Sequence, residues 1–174
     1  MADQAQIDEL KSKMSEQRGK LLALLDAMSE EDAALPTTGE GEWSAKQQMA
    51  HLCEMETAYR AWVAAALAED NPNVDRVFGE PPAIPLEKAS EATVAQLTAE
   101  MRRQRERTLG LIESLQPDDF ERTATQRMFG TLTVMQWLRS YYRHDRMHFD
   151  QVRGEESEYR PRYAGGKEPD QRRA

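Results

Sequence analysis

Apolar residues recur every three or four positions in four stretches of the chain, and no stretch alternates apolar and polar positions convincingly as a half-buried strand would. The first stretch runs from about Gln4 to Met28, where Ile7, Leu10, Met14, Leu21, Leu24, Leu25 and Met28 mark one face of a helix, with Gly19 a weak point inside it. The segment LPTTGEGEW that follows carries Pro36, Gly39 and Gly41, so a loop is expected there. Ser44 opens the second helix, and Gln47 three residues on completes a capping box. From it His51, Leu52, Met55, Ala58, Tyr59, Trp62, Val63 and Ala66 form a broad apolar face, with His51 near its beginning and turned inward. Residues Asp70 to Ser90, with Asn71-Pro72, Pro81-Pro82 and Pro85, read as a long connection.

A third helix is expected over Glu91 to Leu115, burying Val94, Leu97, Met101, Thr108, Leu111, Ile112 and Leu115, with Arg105 as a surface interruption. Gln116 to Leu132 is the next connection, carrying Pro117, Asp118, Asp119 and Gly130. Thr133 with Gln136 makes a second capping box, and the fourth helix carries Val134, Trp137, Leu138, Tyr141, His144, His148, Gln151 and Val152 until Gly154 stops it. The pattern predicts an all-α, four-helix bundle over residues 1–153 and a polar, flexible tail over 154–174, which Tyr159 and Tyr163 could dock.

Composition narrows the class of protein. A chain of 174 residues has room for one domain with a sizeable core. The longest apolar run, Ala61 to Ala68, falls well short of the roughly 20 residues a bilayer span needs, so no membrane segment is expected. The amino terminus lacks the apolar stretch of a secretory signal, and a cytoplasmic location is expected. Cys53 is the only cysteine, which rules out an internal disulfide and a cysteine-rich zinc site. A formal charge of −8 argues against nucleic-acid binding. The arginines of MRRQRER, residues 101 to 107, fan around a helix rather than forming one stripe.

All three histidines fall on apolar helix faces. His144 and His148 lie one helical turn apart, so their rings share a face and can grip one cation, and His51 on another helix can supply a third nitrogen. Taken alone, this pattern also fits hydrogen-bonded core histidines. Glu54 and Asp145 are the carboxylates near enough in sequence to orient an imidazole, although surface solvation is the ordinary reading of Asp145. Cys53 points away from His51 and reads as a packed thiol; Trp62, Trp137, Tyr141 and Met55 read as core.

The segment EWSAKQQMAHLCEME and the later YYRHDRMHFDQV together resemble the DinB-like superfamily of metal-binding bundles. Trp43, Ser44, His51 and Leu52 match the first half of its pattern; Gly130, Thr131, Leu132, Thr133, His144 and His148 match the second. The resemblance implies an up-and-down four-helix bundle, often a homodimer, with one divalent metal ion held by His51, His144 and His148. Zinc, nickel and iron all suit imidazole ligands, and the sequence does not choose among them. The superfamily implies a thiol-dependent S-transferase or related stress and detoxification activity on a small-molecule substrate, with a low-molecular-weight thiol as co-substrate. Two other readings stand beside it: a non-catalytic, metal-stapled dimeric binding or regulatory module, and a metal-dependent hydrolase.

Overall fold

The computed structural model describes residues 2–37 and 43–159. Gly39 and Gly41 of the first connection, and Tyr163 with most of the polar tail, lie outside the described residues. Among the described residues five α-helices follow in order: α1 (Gln4–Asp26), the short α2 (Glu30–Ala34), α3 (Ala45–Ala68), α4 (Val94–Ser114) and α5 (Val134–Val152). The four long ones are the four helices expected from the apolar periodicity. Each opens on a capping box with glutamine at the third helical position: Asp3 with Gln6, Ser44 with Gln47, Thr93 with Gln96 and Thr133 with Gln136. These side chains satisfy backbone donors that would otherwise be orphaned, which fixes where each helix begins. Among the described residues no helix is long and apolar enough to cross a membrane.

The expected third helix starts later than its sequence suggests, because Leu86–Glu91 forms a 3-10 turn and Thr93 supplies the cap. The expectation of no strands is corrected in the third connection. Thr123–Gln126 (β1) pairs antiparallel with Gly130–Thr133 (β2), with Thr123 opposite Thr133 and Ala124 opposite Leu132. The strands are too short for alternation to stand out in the sequence, and Gly130 at φ 77° supplies the left-handed turn residue.

Strict up-and-down alternation also fails at one point. Lys46 reaches the carbonyl of Ala92, and Arg60 reaches Gln104 and Thr108, so α3 and α4 run parallel. Lys11 with Glu113 and Asp26 with Arg102 set α1 antiparallel to α4; Arg18 with Asp145 brings α1 beside α5. Gln48 with His148, and Tyr59 with Trp137, set α3 antiparallel to α5. The directions are therefore up, down, down, up for α1, α3, α4 and α5. Crossing back between two parallel helices requires a long link. The proline-rich connection provides it, tied to α3 by Glu54, which accepts from the Leu86 N–H at 2.7 Å, and by the Trp62 indole, which donates to the Val77 carbonyl at 2.9 Å. Gly79 lies so close to α3 that a Cβ there would stand 2.3 Å from the Thr57 carbonyl carbon.

Two apolar clusters fill the bundle. One gathers Leu10, Met14, Tyr59, Trp62, Trp137, Leu138 and Tyr141; the other gathers Leu21, Leu25, Met49, Leu52, Leu97 and Met101. Between them lies a charged layer with one residue from each long helix. The Arg18 guanidinium donates to Asp145 at 2.8 and 3.1 Å and to Glu56 at 2.8 Å; Arg105 donates to Glu56 at 2.8 Å and to Asp145 at 2.9 Å. Remaining donors go to the carbonyls of Met101 and Met14, and Thr108 donates to Glu56 at 2.7 Å. Arg105 and Asp145, both expected at the surface, are thus buried, because two guanidinium groups and two carboxylates neutralise one another.

This layer predicts acid sensitivity. Burial alone would raise the Glu56 pKa, but Arg105 and Arg18 outweigh it and hold it at about 2, below the ordinary 4.5. A depressed carboxylate stabilises the fold above its unfolded value, and that contribution is lost as pH falls from 4.5 through 2. The loss should be roughly 3 kcal/mol. Urea unfolding across this window should show wild type losing stability more steeply than Glu56→Gln by close to one proton; equal slopes would contradict the assignment.

A three-histidine centre in the bundle

His51 projects from α3 two turns after its Ser44 cap, and His144 and His148 project from adjacent turns of α5. Because α3 and α5 are antiparallel neighbours, all three rings meet beside the charged layer. Their closest ligand-capable nitrogens lie within 4.8 Å of one another, and Nε2 of His144 stands 2.9 Å from Nε2 of His148. The His51 ring meets His144 edge-on at 5.1 Å between centroids, and its other side rests against the Trp43 indole at 4.8 Å. His51 Nε2 is buried with no hydrogen-bond partner.

All three imidazoles are neutral around pH 7. Burial lowers the pKa of each: His144 falls to about 4, with Arg18 adding to the effect, and His51 and His148 fall well below their usual range, helped by their histidine neighbours. A neutral ring with a bare nitrogen is the form that ligates a cation, and an orphaned buried nitrogen is costly unless something fills its valence. Two zinc-to-nitrogen bonds of about 2.0–2.1 Å span at most about 4.2 Å, so small shifts of rings whose nitrogens lie within 4.8 Å bring them onto one ion. The residues present fit a divalent metal.

Neither carboxylate singled out for orienting an imidazole bonds a histidine ring among the described residues. Glu54 faces the long connection through Leu86, and Asp145 is engaged by Arg18 and Arg105. The contact that sequence reasoning missed is an amide: Gln48 Oε1 lies 2.8 Å from His148 Nδ1. Its signal was available, since Gln48 is three residues before His51 and shares its helix face.

Cys53 is packed as expected. It is fully buried, and burial raises its pKa to about 12 despite Arg18 nearby. A thiol-specific disulfide reagent should therefore leave the folded protein unmodified and label one thiol per chain in urea. Fast labelling without denaturant would contradict this packing.

Known proteins with related folds agree with this architecture. The structure superposes on YfiT from Bacillus subtilis, described as a probable metal-dependent hydrolase with an unusual four-helix bundle topology, with a TM-score of 0.72 and 20% identity, covering 88% of this chain and 87% of that one. A mycothiol-dependent maleylpyruvate isomerase matches with a TM-score of 0.66 and 13% identity over 84% of this chain, and this chain spans 60% of the isomerase's length. A histidine-to-alanine mutant of that isomerase matches at 0.62 and 12% identity, over 84% of this chain and 60% of that one. No curated protein matches the chain in sequence. The family model of the DinB superfamily matches residues 13–152, and with that match over most of its length the chain belongs to the DinB superfamily.

Proposed function

We propose that the protein is a metal-dependent enzyme in which His51, His144 and His148 hold one divalent ion, and that it transfers or rearranges groups with a small thiol as co-substrate. The observation that carries this reading is the convergence of three buried, neutral imidazoles, one with an unpartnered Nε2. A divalent ion with three nitrogen ligands and an open position supplies Lewis acidity, holding a thiol as thiolate or lowering the pKa of water to about 7. The chain's own part is to present three lone pairs from a dry, low-dielectric pocket and to keep the rings unprotonated. Arg18, Glu56, Arg105 and Asp145 brace the helices that carry them.

The thiol reading is supported by the likeness to the mycothiol-dependent isomerase. Hydrolysis is the second reading, supported by the likeness to YfiT, which extends over most of both chains. In either case the substrate is a small molecule, and a cytoplasmic homodimer is part of the proposal.

The two activities separate in one experiment. Zinc- or nickel-loaded protein is assayed with mycothiol or glutathione and an electrophilic acceptor, then with ester and amide substrates without thiol. Thiol-dependent turnover that disappears in His144→Ala supports transfer; thiol-independent turnover lost in the same variant supports hydrolysis. A loaded protein inactive in both would favour a role in which the ion staples α3 to α5 without catalysis.

A further inference from the structure

Four hydrogen-bonding groups form a chain running from the segment before α3 into the centre. The Thr37 hydroxyl donates to the Trp43 carbonyl at 2.8 Å. The Gln48 side-chain amide donates to the Thr37 hydroxyl and lies 3.4 Å from the same carbonyl. Gln48 Oε1 lies 2.8 Å from His148 Nδ1, and His148 Nε2 faces the site. Gln48 is 2% exposed and His148 fully buried, so bulk water does not compete at the inner end of this path; Thr37 and Trp43 at its outer end are half-buried.

Every direction in the chain is forced by its first member. A carbonyl oxygen only accepts, so Thr37 spends its single proton on Trp43 and offers Gln48 a lone pair. Gln48 must then turn its NH2 toward Thr37; the flipped amide would set its oxygen against the Thr37 oxygen, whose one proton is already turned to Trp43. Its Oε1 is left facing His148, and Nδ1 must donate. A neutral imidazole has one N–H, so Nε2 carries the lone pair.

We propose that Gln48 is a positioning residue: held by Thr37 and the Trp43 carbonyl, it locks His148 as the Nδ1–H tautomer and aims the bare Nε2 at the site. In the metal-free protein the same lock assigns the proton shared in the 2.9 Å contact between the two Nε2 atoms to His144, a proton that leaves Nε2 when that atom ligates. The segment that orients Gln48 also sets Trp43 against the His51 ring, so the Pro36 to Ser44 bridge positions ligands on both helices. The value of this lock for metal affinity rests on the metal reading above; the tautomer itself does not.

The test is long-range proton–nitrogen NMR on the metal-stripped full chain with nitrogen-15 histidine, alongside chelator competition for zinc. Wild type should show His148 as a single Nδ1–H tautomer. Gln48→Leu should show a mixture and bind zinc about 10- to 100-fold more weakly, the usual cost of losing an outer partner of a ligating histidine. Gln48→Glu, whose carboxylate also accepts from Nδ1, should restore the single tautomer. Thr37→Val releases the amide to flip and should give a mixture with Gln48 still in place, which decides the matter even if Gln48→Leu does not fold. His148 found as Nε2–H in wild type, or a single unchanged tautomer in both Gln48→Leu and Thr37→Val, would overturn the proposal. A wild-type Nδ1–H tautomer lost in the variants, with no zinc bound by any of them, would uphold the lock and sink the metal reading alone.

Discussion

Zinc or nickel added to the metal-free protein should raise its melting temperature, and the rise should vanish in His144→Ala. A ligand present at 1,000 times its Kd adds about 4 kcal/mol to the folded state, which for a chain of this size moves the midpoint by roughly 10 °C. The three rings contact one another pairwise, His51 to His144 at 5.1 Å, His51 to His148 at 5.5 Å and His144 to His148 at 4.6 Å between centroids, so loss of His144 removes a ligand and leaves the remaining pair split between α3 and α5. The variant should keep its helical signal, because the apolar faces of the long helices supply the fold. Its affinity should fall by more than the roughly 10- to 100-fold that loss of an outer partner costs. An equal metal-induced shift in wild type and variant would place the ion elsewhere.

The second large effect is expected in the charged layer. Arg105→Met leaves Glu56 and Asp145 buried with Arg18 as their one remaining guanidinium partner, and a broken buried pair typically costs about 3–5 kcal/mol. Urea unfolding reads this directly. The combined change R18M, E56L, R105M and D145L removes all four charges together and should recover most of the loss, since an apolar layer has no desolvation penalty to offset. If the single variant cost less than about 1 kcal/mol, the layer would not be the bracing element inferred here.

That layer also marks where the sequence was hard to read. Arg18, Glu56, Arg105 and Asp145 occupy core-facing positions in their helices: Met14, Arg18, Leu21 and Leu25 follow one stripe, as do Met101, Arg105, Thr108 and Ile112. Read one helix at a time, a charge in such a stripe looks like an interruption that turns to solvent. Only the meeting of all four helices reveals the partners that allow burial. Two helix starts were easier, since Ser44 with Gln47 and Thr133 with Gln136 are local signals with a local cause; the same signal at Thr93 with Gln96 was passed over, and the third helix was expected from Glu91 rather than Val94. The helix directions were not legible, because the long connection reveals its length but not the side from which it returns. The three histidines were found through periodicity and family resemblance. Gln48 was passed over because an amide on an apolar face carries no charge to draw attention, although its spacing from His51 already placed it beside the site.

Elemental analysis of protein purified without added metal and without a histidine-rich tag, compared with the His51, His144 and His148 to alanine triple variant, tests the central claim most directly. About one divalent ion per chain in wild type and none in the variant is the predicted result. No ion in wild type even after reconstitution, or an ion retained by the variant, would contradict it and leave a helical bundle with three core histidines.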